Sequence, residues 1–104
     1  MGINTAWVNE RQEAKQEVFD LDMVLSNLAT SRWFNLTHTV CLRFIEPWGD
    51  TVFNQSQIPV LLSELQTEIA SQDNPRIRHQ LESVTRLVEM AVNQTHTYIK
   101  FIGD

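Results

Sequence analysis

Hydrophobic residues recur along this chain with two different spacings. Alternating or short apolar stretches that are typical of strands occur at residues 5–9, 17–19, 38–45 and 95–102. Apolar residues three and four positions apart, which form one face of a helix, occur at residues 21–30, 55–72 and 75–93. The predicted order is therefore β-β-α-β-α-α-β. It indicates an α+β fold, with a small mixed or antiparallel sheet of about four strands packed with three helices.

Capping residues support the predicted helix starts. Asp20 or Asp22 can accept hydrogen bonds from the first free amides of the first helix. Pro59 is compatible only with the first turn of the second helix, since proline lacks an amide hydrogen. Asn74 followed by Pro75 predicts a cap and a first helical residue for the third helix. The short break before it makes the last two helices an antiparallel pair.

The predicted strand at residues 38–45 leads into a polar, aromatic turn. Glu46, Trp48 and Asp50 lie in this turn, and Gly49 allows the backbone to reverse there. Rigid elements that present polar and aromatic loop residues often form binding sites. The turn is therefore the first candidate for a functional site.

Length and targeting signals indicate where the protein works. A chain of 104 residues suits a single domain, so residues 1–104 are expected to form one unit. The N-terminal residues do not resemble a signal peptide, and no apolar run is long enough to span a bilayer. We therefore expect a cytoplasmic protein without membrane contact. The single cysteine, Cys41, fits a reducing compartment and is expected to pack inside the fold rather than act as a nucleophile.

The chain is acidic, with 13 acidic and 8 basic residues and a net charge of −5. Phosphate contacts need a basic face, so direct binding of nucleic acid is not expected. Opposite charge accelerates association, which makes a basic protein a plausible partner. The alternative interpretation is that mild acidity only keeps the protein soluble.

Three carboxylates stand out because they follow predicted strands. Glu46 and Asp50 follow the strand at residues 38–45, and Asp104 follows the last strand. If these strands were parallel neighbours, the acids would meet and could hold a hard cation or act as an acid–base pair. A capping role for Asp50 within its own loop is the simpler interpretation. No metal-ligand spacing involves the histidines, which are His38, His79 and His96.

We therefore expect no catalytic residue, no metal and no cofactor. A small metal-dependent enzyme that uses these carboxylates remains the alternative. A second alternative is a structural module in which Val60 or Val92 forms a homodimer contact.

Two tryptophans are candidates for contact with a partner. Trp48 lies in the turn beside a glycine and an acid, a composition typical of an interface anchor. The other interpretation is that it folds back over the sheet edge. Trp33 lies between a predicted helix and a predicted strand, where it forms either a lid on the core or a contact with a partner.

Two short motifs connect the turn to the end of the chain. Residues 49–54 read GDTVFN, Gln57 follows soon after, and residues 101–104 read FIGD. With these motifs, the chain from Trp7 onward resembles a family of small bacterial proteins. Some of its members resemble immunity proteins of contact-dependent growth-inhibition and related polymorphic toxin systems. Members often have a tyrosine before the Gly-Asp pair, where this chain has Trp48.

The resemblance implies a protein that is not an enzyme. It would bind the cognate C-terminal toxin domain of a sibling cell's surface effector and cover its active site. Such toxins are often nucleases, so the implied partner is a basic RNase or DNase domain. The contact residues do not come from the family, and physical reasoning predicts them to be Glu46, Trp48, Asp50, Asp104 and Trp33.

Overall fold

The computed structural model describes residues 2–103 and confirms the predicted order of elements. The strands are β1 (Asn4–Asn9), β2 (Ala14–Val18), β3 (Asp50–Phe53) and β4 (Thr97–Ile102). The helices are α1 (Val24–Ser31), α2 (Ile58–Ser71) and α3 (Pro75–Ala91). The four strands form one sheet in the order β2-β1-β4-β3, and every pairing is antiparallel. The fold is α+β, as the hydrophobic pattern predicts.

The alternation of β4 divides the sheet into two different faces. Ile99 and Phe101 are fully buried and belong to the cluster that joins the sheet to all three helices. Phe53 of β3 packs edge-on against Phe101, with ring centroids 5.9 Å apart. Lys100 lies between these residues on β4, so its side chain points to the opposite face. The core therefore fills one side of the sheet.

The helices begin close to the predicted caps. The N–H of Leu25 donates to Asp20 Oδ1 at 2.8 Å, which places Asp20 rather than Asp22 at the start of the first helical segment. The N–H of Arg76 donates to Asn74 Oδ1 at 2.9 Å, and Asn74 is the cap of α3. Local capping chemistry therefore sets these starts.

The strand predicted at residues 38–45 is wrong. These residues form an irregular loop with one turn of 3-10 helix, and the third strand, β3, begins only at Asp50. Glu64 of α2 accepts hydrogen bonds from the backbone N–H groups of Val40 at 2.7 Å, Cys41 at 3.1 Å and Leu42 at 3.0 Å. Because the Glu64 side chain accepts hydrogen bonds from three consecutive amides, these amides do not pair with a neighbouring strand.

The two valines predicted to form a homodimer contact differ in exposure. Val92 packs partly buried against the core, so it does not form the free apolar face predicted for a homodimer, whereas Val60 is exposed. Across residues 2–103, no helix combines the length and the apolarity that a bilayer span requires.

Candidate functional site

Three exposed aromatic side chains surround one surface groove. Phe34 is 53 % exposed, Phe44 is 61 % exposed and Trp48 is 73 % exposed. All three line a groove of about 410 Å³, here called the aromatic groove. Large aromatic residues are usually mostly buried, and clusters of exposed ones mark binding surfaces. The groove is therefore the strongest candidate for a functional site among the described residues.

Buried neighbours anchor the backbone at the first two of these residues, Phe34 and Phe44. Phe34 follows Trp33, and Phe44 precedes Ile45; both neighbours belong to the core. Each phenylalanine lies in a short turn of 3-10 helix, where one side chain points inward and the next points outward. The exposure of Phe34 and Phe44 therefore follows from the burial of the residues beside them.

The turn that carries Trp48 is fixed at both ends. The N–H of Glu46 donates to Thr51 Oγ1 at 2.9 Å. The N–H of Gly103 donates to the carbonyl oxygen of Gly49 at 2.8 Å. Because these bonds tie the turn to β3 and to the end of β4, Trp48 is exposed on a well-defined backbone rather than on a free loop.

The two sequence motifs lie side by side at this turn. Asp50 stands opposite Ile102 in the register between β3 and β4. A Cβ atom at Gly103 would lie only 2.5 Å from the carbonyl oxygen of Pro47 and 2.6 Å from that of Gly49. Only glycine allows this close approach of two backbones. The GDTVFN and FIGD motifs therefore have a structural role, which is to support the turn.

The predicted acidic residues do not all lie at the groove. Glu46 lines it together with Trp48. Asp50 instead pairs with Lys100, whose Nζ lies 3.4 Å from Asp50 Oδ2. Asp104 lies outside the described residues. The structure therefore brings together two of the predicted contact residues, Glu46 and Trp48.

The parallel strand arrangement on which the predicted carboxylate cluster depended is wrong. β3 and β4 are antiparallel, and Glu46 follows a loop rather than a strand. Among residues 2–103, no group of three or more histidine, cysteine, aspartate or glutamate side chains is arranged to hold a metal ion. His38 and His96 line different cavities.

Trp33, predicted as a contact residue, is instead a core residue with none of its surface exposed. Its Nε1–H donates to Glu68 Oε2 at 2.6 Å. Arg32 donates to the same carboxylate through Nε and Nη2, with Nη2 2.8 Å from Oε1, and Ser71 Oγ lies 3.0 Å from Oε1. The indole of Trp33 therefore binds an internal carboxylate, and it is not presented to a partner.

A second, more enclosed cavity of about 290 Å³ lies beside this network. Two glutamates line it, but both have internal partners: Glu64 holds backbone amides, and Glu68 holds Arg32, Trp33 and Ser71. Carboxylates that already accept several internal hydrogen bonds have a structural role. These two glutamates are therefore not free to act as an acid or a base.

Phe34, Arg43 and Phe44 line the groove but are not among the contact residues predicted from the sequence. Phe44 belongs to the stretch predicted as a strand, where alternation assigns it to the buried side. Arg43 also lines the groove, and its guanidinium carbon lies 5.0 Å from the centroid of the Phe44 ring. The only sequence signal for these two residues is that an arginine stands next to a phenylalanine, and this signal is weak.

The chemistry available in the aromatic groove is that of binding. It offers aromatic surface, one carboxylate from Glu46 and one guanidinium from Arg43.

No family model matches the chain, and neither a curated protein nor a solved structure matches it.

Proposed function

We propose that this protein binds another protein through the aromatic groove and inhibits it without catalysing a reaction. The partner is the toxin domain of a contact-dependent growth-inhibition or related polymorphic toxin system, and the protein is its immunity protein. The observation that carries the proposal is the 73 % exposure of Trp48 on a turn that two hydrogen bonds hold in place. A preorganised aromatic anchor loses little conformational freedom on binding.

The exposed rings supply a source of binding free energy. Complete burial of a phenylalanine-sized side chain contributes about 1.5–3 kcal/mol, and such contacts are usually concentrated in a few residues. Phe34, Phe44 and Trp48 lie around one groove, so a single protruding element of a partner can contact all three. This arrangement favours a localised hot spot.

Charge supports a basic partner. The net charge of −5 would attract a protein with a positive surface. A nuclease has such a surface where it binds the phosphates of its substrate. An acidic protein that covers this surface would block the substrate site. The resemblance of the GDTVFN and FIGD motifs to those of immunity-protein-like sequences agrees with this proposal.

Co-purification tests the proposal. The chain is expressed with the tagged toxin domain encoded by the adjacent upstream reading frame, and the complex is isolated on the tag. We expect the native chain to co-purify. Trp48→Ala should weaken the complex by about 2 kcal/mol, or roughly thirtyfold in Kd, because it removes the anchor.

Phe19→Ala is the matched control. Phe19 is also an exposed aromatic residue, at 63 %, but it lies outside the groove. Its replacement should leave the complex intact, and both variants should keep the native melting temperature. The proposal is wrong if the folded native chain does not bind this domain, or if both variants bind equally well.

A further inference from the structure

We infer that the aromatic groove receives an arginine side chain of the partner protein. This inference rests on the proposed function, and it names the chemical group that the groove recognises. Three observations carry it: the open arrangement of the three rings, the carboxylate of Glu46, which has no ion-pair partner among the described residues, and a guanidinium that already contacts one ring.

The rings of the groove are not packed on each other. The aromatic pair found among residues 2–103 is Phe53 with Phe101, which lies in the core. Phe34, Phe44 and Trp48 thus surround a space of about 410 Å³ without closing it by stacking. The face of an aromatic ring attracts cations, and tryptophan does so most strongly. The groove therefore suits a flat, positively charged group.

Glu46 supplies the matching charge. It is exposed, it lines the groove, and it takes part in no ion pair within the part of the chain that the structure describes. Arg43 lines the same groove but does not form an ion pair with it. A carboxylate beside aromatic faces is free to form a salt bridge with an incoming cation, and partial removal from water would strengthen that bridge.

Arg43 indicates which cation fits. Its guanidinium lies over the Phe44 ring, with 5.0 Å between the guanidinium carbon and the ring centroid. The groove thus already accommodates one planar guanidinium. A second one, from the partner, would stack on Trp48 and form a bidentate salt bridge with Glu46, a geometry that arginine allows and lysine does not.

Peptide titration tests this inference without the toxin. The probe is acetyl-Gly-Arg-Gly-amide, and its matched control is the same peptide with citrulline, which has the same shape without the charge. Binding is followed by the NMR signal of the Trp48 indole N–H, assigned by its absence in Trp48→Phe. We expect a saturable shift with the arginine peptide in the millimolar range and at least about fivefold weaker binding of the citrulline peptide.

Two substitutions test how the charges that line the groove affect binding of the arginine peptide. Glu46→Gln should weaken binding of the arginine peptide roughly fivefold, because the salt bridge is lost. Arg43→Ala should strengthen it, because a competing positive charge is removed. Glu82→Gln, on the exposed surface of α3, changes the net charge equally and should have no effect.

Four results would overturn the inference. Equal binding of the two peptides would show a merely apolar groove, and the absence of saturable binding would show no site for a lone arginine. Weaker binding after Arg43→Ala, with stronger binding after Glu46→Gln, would show that the carboxylate of Glu46 does not attract the arginine. Tighter binding of tetramethylammonium than of the peptide would show a site for small cations.

The experiments distinguish a failure of this inference from a failure of the proposed function. If the toxin domain co-purifies but the arginine peptide does not bind, the inference is wrong and the proposed function stands. If the peptide binds as expected but the toxin domain does not co-purify, the groove recognises arginine, and the toxin is not its source.

Discussion

At the scale of single residues, Glu68 is a buried carboxylate that its neighbours must stabilise. Only 3 % of its surface is exposed, and burial by itself would raise the pKa of its carboxyl group. Hydrogen bonds from Arg32, Trp33 and Ser71, together with the charge of Arg32, outweigh burial and lower that pKa below its ordinary value. The charged form of Glu68 therefore stabilises the folded state.

We expect Glu68→Gln to reduce the free energy of unfolding by about 2 kcal/mol at pH 7, because charge-assisted hydrogen bonds to Arg32 and Trp33 are weakened. A lowered pKa in the folded state gives a contribution that is present above the ordinary pKa of 4.5 and disappears as the pH falls through the folded value. The difference between native chain and variant should therefore shrink below about pH 4.

Urea denaturation at neutral and acidic pH measures this difference. Glu82→Gln is the matched control, since Glu82 is exposed, and it should change stability by less than about 0.5 kcal/mol. A difference between the native chain and Glu68→Gln that stays constant down to pH 3 would contradict the assignment.

At the scale of elements, the loop between α1 and β3 is held by a helix rather than by a strand partner. Glu64 of α2 binds three consecutive backbone amides, at Val40, Cys41 and Leu42. The same loop continues to Phe44 and the Trp48 turn, which line the aromatic groove. Glu64 therefore fixes the part of the loop that precedes the candidate site.

We expect Glu64→Ala to release this loop while the helices and the sheet stay folded. Amide hydrogen exchange at Val40, Cys41 and Leu42 should accelerate more than exchange in β4, because only the loop amides lose their acceptor. Hydrogen–deuterium exchange with residue resolution checks this. Uniform acceleration over the whole chain would instead indicate global destabilisation.

The thiol of Cys41 is an independent reporter of the same Glu64 hydrogen bonds. Burial, and secondly the charge of Glu64, raise the pKa of Cys41 to about 11. At pH 8 the thiol is therefore protonated and reacts slowly with a disulfide reagent. Glu64→Ala should increase the rate of labelling at least about tenfold, since it removes a negative charge and opens the loop. An unchanged rate would show that Glu64 does not hold this loop closed.

At the scale of the whole molecule, charge and aromatic contact are expected to act on different steps of binding. The net charge of −5 acts over several ångströms before contact, whereas Trp48 acts only after contact. The proposed complex with a basic toxin domain should therefore form at a rate that depends on salt and dissociate at a rate that depends on the groove.

We expect the association rate constant to fall several-fold between 50 mM and about 300 mM salt, because ions screen the attraction. Trp48→Ala should increase the dissociation rate and leave the salt dependence of association unchanged. Stopped-flow or surface-based kinetics with the purified toxin domain measure both. An association rate that does not respond to salt would exclude steering by charge.

Much of the architecture could be predicted because local preferences decide it. The stripes of α2 and α3, the cap at Asn74 and the alternation of β4 depend on residues close in sequence, and the structure confirms each of them. The strand at residues 38–45 could not be excluded in this way. Its alternation is real, but a carboxylate 22 to 24 residues away takes its amides.

The two candidate tryptophans separate what the sequence by itself determined from what only the tertiary structure decided. Composition and spacing determined an acidic α+β chain with aromatic residues in its loops. Which tryptophan is exposed depends on partners far along the chain: Trp33 packs in the core, where Glu68, 35 residues away, accepts its indole N–H. Trp48 has no such partner among the described residues, and Gly103 holds its turn at the surface. Long-range contacts of this kind leave no periodic signal, so only the folded chain revealed the groove.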